Sequence, residues 1–296
     1  MFSPEGRANF CSSDAQEAYR LVYNIEMYLR HMVRWELVAK AGRDWKTLLG
    51  NAGNAADARR RNERELRLID ADERNLLSYL LLTELKDVMT SEAVWPIFKN
   101  RWPPQDLFLA DFKIFNAIRA KVAHFRPLTT LDMRAIDRFR SIVEQMTAHY
   151  RGQQRAEKQL DPDAPGIPEP IVEPIKDWIR ECASGTGRWA SLAVSAVHAY
   201  VVIVARLRIG SFAPSAVSAL IDGTRCDALF LSIDEPAIAL KAYLPRCLKE
   251  REAVAMMAGL RGFGLVEDEL FPDEGEPEHF DFSVPFDLPL PMQFRA

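Results

Sequence analysis

The stretch from Phe108 to Pro127, FLADFKIFNAIRAKVAHFRP, constrains the fold most. Phe108, Phe112, Phe115 and Val122 recur at helical spacing and place one apolar stripe along a single long helix. Arg119 falls on or beside that stripe, four residues after Phe115. A bare guanidinium is costly to bury. It therefore either snorkels to solvent or lines a polar cleft against a neighbouring element. His124 follows after four intervening residues, a rotation of about 140° on an ideal helix. The two side chains converge only where the helix loosens near His124. Pro127 favours such loosening, because it pushes Arg126 out of helical geometry.

The flanking segments supply helices to cover that stripe. Asp14 with Glu17 forms a capping-box-like start. Ala18, Leu21, Val22, Ile25, Tyr28, Leu29, Met32 and Trp35 then keep helical period until Gly42. Asn51 to Asn54 reads as a loop. Asp57 to Asp70 is a charged helix, and it is open to two readings. Arg59, Arg60 and Arg61 either sit on a solvated face with pairs one turn apart, or they touch phosphates. Leu76 to Met89 is apolar nearly all round, which predicts a central helix. Pro96, Pro103 and Pro104 break the chain before the Phe108 helix, and Pro104 suits its first turn. Thr130 caps a last helix whose inward positions are Met133, Ile136, Phe139, Ile142, Val143 and Met146. These elements make an α-helical bundle of four or five helices over residues 1–155.

Beyond it the chain changes character. Pro162, Pro165, Pro168, Pro170 and Pro174 read as an extended, semi-rigid linker over 156–175. Residues 176–296 are expected to form a smaller α+β domain. Trp189 to Ile209 is rich in Val, Ala and Ile with partial alternation, consistent with one or two strands or with a buried helix. Pro214 to Asp222 reads as a helix. Ala228 to Ile233 and Ala237 to Leu244 flank Asp234-Glu235-Pro236 as a hairpin. Leu248 to Leu260 reads as a helix, and an acidic, Pro-rich tail closes the chain.

Arg-x4-His on its own is a weak pattern. It fits best a helix-end histidine bonding local carbonyls beside a snorkelling arginine, and it also fits half of a catalytic site. The surroundings add to it. IRAKVAHFRPLTTLDMRAID resembles the signature helix of the HEPN superfamily, with Ala123-His124, a short loop, and Thr130-Leu131-Asp132 opening the next helix. The first helix, ending in Gly42-Arg43-Asp44-Trp45, resembles that of abortive-infection-type HEPN proteins. The resemblance covers about residues 13–150. It departs from the family pattern at Ala120, where a polar residue, often Asn, commonly stands.

The resemblance implies a metal-independent endoribonuclease of toxin or abortive-infection (antiphage) type, with Arg119 and His124 as catalytic residues. Histidine titrates near neutrality and can move protons, while arginine matches phosphate with a planar, permanently charged fork. One Arg and one His supply half of an acid–base pair, and family members solve this by forming homodimers. Asn116, Lys121 and Arg126 are candidate RNA-binding residues in such a site. Two other functions stay open: a non-catalytic HEPN-like dimerisation or scaffold module, and a nucleotide-binding regulator using Arg119 as a phosphate clamp.

Charge is compatible with an RNA partner, because residues 1–160 carry a formal +5 while residues 161–296 carry −9. The second half then suits a regulatory role or a regulatory protein partner. Cys11, Cys182, Cys226 and Cys247 have no metal-site spacing, and the five histidines are scattered, so neither a metal nor a cofactor is expected. The apolar run Leu192 to Ala205 is too short for a membrane span. With no apolar leader after Met1, the reading is a cytoplasmic protein without membrane contact.

Overall fold

The computed structural model describes residues 13–66, 76–100, 102–155, 158–159, 166–197, 199–210, 230–233 and 238–262. The side chains of residues 147–155, 158–159, 197 and 231–233 fall outside that description. So do Cys11, Cys226, the predicted helix Pro214 to Asp222, the acidic tail, His198 and His279.

The helical part begins with α1 (Ser13–Ala41). Its apolar positions are buried from Ala18 onward, and between Tyr28 and Val38 nearly every side chain is covered. A helix buried all round needs neighbours on all sides, and α1 has them in two later long helices and a β-sheet. Gly42 ends it with φ +55, a conformation that favours glycine. A 3₁₀ segment (Gly42–Leu49) leads into α2 (Gly50–Glu65). The expected Asn51–Asn54 loop is thus the first turn of a helix. In α2, Arg60 and Arg61 both pair with Asp57, and Arg59 reaches Glu84 and the Tyr79 carbonyl, at 2.7 Å for the carbonyl. The three arginines have carboxylate partners within the fold.

The expected helix Leu76 to Met89 is split. A 3₁₀ turn (Leu76–Tyr79) precedes α3 (Leu82–Thr90). The cause is Glu84, whose Oε2 accepts from the Leu81 N–H at 2.8 Å and so opens a fresh helix there. A short α4 (Trp95–Phe98) leads to α5 (Gln105–Ala123), with Pro104 as its N-cap. Phe108, Phe112, Phe115, Ile118 and Val122 are buried on α5. Helix α6 (Thr130–Arg155) packs Ile136, Phe139, Val143 and Met146 inward, with Phe139 stacked on Phe115 at 4.5 Å. Its cap is Thr129 rather than the expected Thr130. The Asp132 N–H donates to Thr129 Oγ1 at 3.2 Å, and the Thr129 N–H donates to Asp132 Oδ2 at 2.8 Å.

The second part is a five-stranded antiparallel sheet in the order β1-β2-β3-β5-β4. Its strands are β1 (Lys158–Gln159), β2 (Trp189–Val197), β3 (Tyr200–Leu207), β4 (Phe230–Ile233) and β5 (Ala239–Pro245). Helices α7 (Glu169–Ser184) and α8 (Glu250–Gly262) pack together beside it. The chain is therefore a helical part followed by a smaller α+β part. Trp189 to Ile209 forms two strands, and β4 pairs with β5 as expected for the hairpin. The range 156–175 is not an extended spacer throughout. Lys158 pairs with Ala196 in the sheet, and α7 already begins at Glu169, with Pro170 in its first turn and Pro174 inside it. Pro170 lacks a donor that the first turn leaves unused anyway, whereas Pro174 forfeits one helical bond.

The two parts share an aromatic cluster centred on Trp35 of α1. Tyr200 of β3 stacks on Trp35 at 3.8 Å, and Phe230 and Tyr243 lie 5.1 and 5.4 Å away. The Tyr200 hydroxyl donates to the Trp35 carbonyl at 2.6 Å. A cut near residue 160 therefore separates segments that are joined through α1.

Candidate functional site

Helix α5 presents two flanks. Positions 119 and 121 are about 200° apart on an ideal helix, so their side chains leave in opposite directions. Arg119 turns toward α1, where its Nε donates to Glu26 Oε1 at 2.8 Å. Lys121 turns toward α6 and donates to Asp132 Oδ1 at 2.7 Å. Asp132 is buried, and its carboxyl is held below the usual carboxylate range, first by Lys121 and then by the Thr129 N–H. Lys121 thus secures the α5–α6 corner. Asn116 is half-buried one turn before Arg119, and Arg126 is exposed.

Glu26 is shared. Its second oxygen lies 3.4 Å from Arg30 Nη1, and Arg30 Nη2 donates to the Leu80 carbonyl at 2.8 Å. The side chain of Arg30 is 8% exposed and that of Glu26 14%, whereas Arg119 keeps 38%. Burial lowers the Arg30 pKa from its ordinary value, and the Glu26 charge opposes that shift. One turn further, the buried Arg34 guanidinium lies 5.0 Å from the centre of the Phe230 ring, a cation–π contact. Between the two arginines, His31 has a buried Nδ1 with no hydrogen-bond partner among the described residues. Burial, followed by the charges of Arg34 and Arg30, pushes His31 down to about 4. It is neutral at physiological pH.

His124 stands at the end of α5 as its C-cap, with φ −104 and ψ 16, and its side chain is exposed. The helix closes behind it in a Schellman arrangement. The Phe125 N–H donates to the Val122 carbonyl at 3.1 Å, and the Arg126 N–H to the Lys121 carbonyl at 2.9 Å. The loosening expected from Pro127 therefore falls at His124 itself. No hydrogen bond joins Arg119 to His124 among the described residues.

A concavity of about 680 Å³ lies in the α+β part and is lined by Glu181, Arg188, Trp189, Met257 and Arg261 among others. Arg261 pairs with Glu181 there at 2.8 Å. Among the described residues, no three His, Cys, Asp or Glu side chains converge in a way that could hold a metal ion. Among them, too, no helix is long and apolar enough to cross a membrane.

Sequence reading overlooked Glu26, Arg30, Arg34 and Phe125. A signal for the first three was present, since they recur every four residues within an otherwise apolar helix and so form one charged line along it. Comparison with family models, curated proteins and solved structures finds no match for this chain.

Proposed function

We propose that the chain is a metal-independent endoribonuclease of HEPN type that acts as a homodimer, in the manner of a toxin or abortive-infection effector. The observation that carries this reading is the end of α5. A part-exposed Arg119 sits on one flank, and an exposed His124 stands one turn beyond it, outside helical geometry. In the proposed reaction the RNA 2′-hydroxyl attacks its own phosphorus. His124 takes or returns the proton, and Arg119 stabilises the charge gathering on the phosphorane oxygens. The bond to the 5′ oxygen breaks, leaving a 2′,3′-cyclic phosphate and a 5′-hydroxyl. A second copy supplies the second Arg119 and His124. The Arg119 fork must turn from Glu26 to phosphate, so the Glu26 pairing describes a resting state.

A non-catalytic helical module is the second reading. Ala120 and the Arg119–Glu26 ion pair favour it, because an arginine serving only to tie α5 to α1 would look the same. The variants decide. His124→Ala and Arg119→Ala should fold normally and abolish cleavage of a total-RNA pool. Arg119→Lys should fail to rescue, since a point charge does not reproduce the bidentate fork. Full activity in His124→Ala would remove His124 from the reaction and with it the HEPN-type mechanism.

A further inference from the structure

Phe125 is out of place in two respects. It occupies the position of the Schellman closure that takes a left-handed backbone, with φ +54, where glycine is the usual residue. A phenylalanine there strains the backbone. Its ring is also 94% exposed, so among the described residues no packing of the side chain offsets the strain. The two Schellman hydrogen bonds hold this backbone, and the exposed ring is left available to a ligand.

The surroundings say what kind. His124 and Arg126, the two neighbours in sequence, are both exposed. Leu131, 72% exposed, and the exposed Arg134 lie on the first turns of α6, and the acid of this corner, Asp132, is buried against Lys121. The corner thus presents a flat aromatic face within a net positive surround. A nucleobase needs only the ring face, and its phosphates need the cations beside it.

We propose that Phe125 is a stacking platform for a base of single-stranded RNA, holding the nucleotide next to the one whose phosphate reaches His124. This rests on the ribonuclease reading and adds a positioning residue to it.

The test measures binding of a fluorescent single-stranded RNA oligomer to the full chain carrying His124→Ala, which leaves the RNA intact. Adding Phe125→Ala or Phe125→Leu should weaken binding by about 5- to 150-fold, the factor for one stacked base. Phe125→Trp should retain or improve it. With an RNA abasic along its length the Ala variant should bind like its parent. Phe125→Gly should bind as weakly as Phe125→Ala yet melt at a higher temperature, which separates lost stacking from lost folding. Equal binding by Phe125→Ala and its parent would overturn the platform while leaving the ribonuclease reading standing. A shift in oligomeric state caused by Phe125→Ala alone would assign the ring to a second copy instead. Failure of the His124→Ala parent to bind RNA, together with a wild type that cleaves none, would remove both readings.

Discussion

Glu26 is the residue on which the resting state turns. It lies between two guanidinium groups, one well buried and one open to solvent. Its removal leaves the Arg30 charge without a counter-charge, which is the expensive half of breaking a buried pair. Glu26→Gln should therefore lower stability by roughly 1–3 kcal/mol in urea denaturation. It should also tighten RNA binding, because Arg119 no longer has a carboxylate to leave. Unchanged stability would show that the bridge contributes nothing. His31 gives a second test. Its folded pKa of about 4 lies below the ordinary histidine value of 6.5. Between those values the unfolded chain binds a proton that the native chain refuses, so stability falls as pH falls through that window. The loss should be on the order of 3 kcal/mol, and His31→Asn should flatten the slope. Asp132 and Glu84 have lowered folded pKa values, so their shares are lost only in and below the ordinary carboxylate range. A profile equally steep in His31→Asn would assign the acid sensitivity elsewhere.

Among the elements, α1 carries two duties: its early turns meet α5 and α6, and its later turns meet the sheet. Trp35→Ala should cost about 3–5 kcal/mol, the usual range for emptying a buried aromatic site. Tyr200→Phe, which removes the bond to the Trp35 carbonyl, should cost about 1 kcal/mol. Denaturation followed by fluorescence and by circular dichroism would report both. The periodicity of α1, α5 and α6 was legible in the sequence, because each has one apolar face with interruptions that mark its ends. The ends themselves were not. Helix α5 begins three residues earlier and ends at Ala123, and the α6 cap falls on Thr129, since capping depends on which side chain reaches an orphan amide. The split of Leu76 to Met89 depends on the Glu84 carboxylate and its partner Arg59, 25 residues away. That pairing has no local signature. For the site, Arg119 and His124 were readable as a pattern. The partner of Arg119 lies 93 residues away in sequence and was not.

At the scale of the molecule, the strands of the second part were legible from alternation, while the grip of that part on α1 was not, because Trp35 and Tyr200 are 165 residues apart. That grip joins the α+β part to the same helix that holds Glu26 against Arg119. The proposed reaction is open to one direct measurement. Wild-type protein is incubated with total RNA in excess chelator, and the new ends are identified by mass spectrometry. Accumulating fragments with 2′,3′-cyclic phosphate and 5′-hydroxyl ends, absent in His124→Ala, are the predicted result. Intact RNA, or cleavage that begins only when a divalent metal is added, would contradict it.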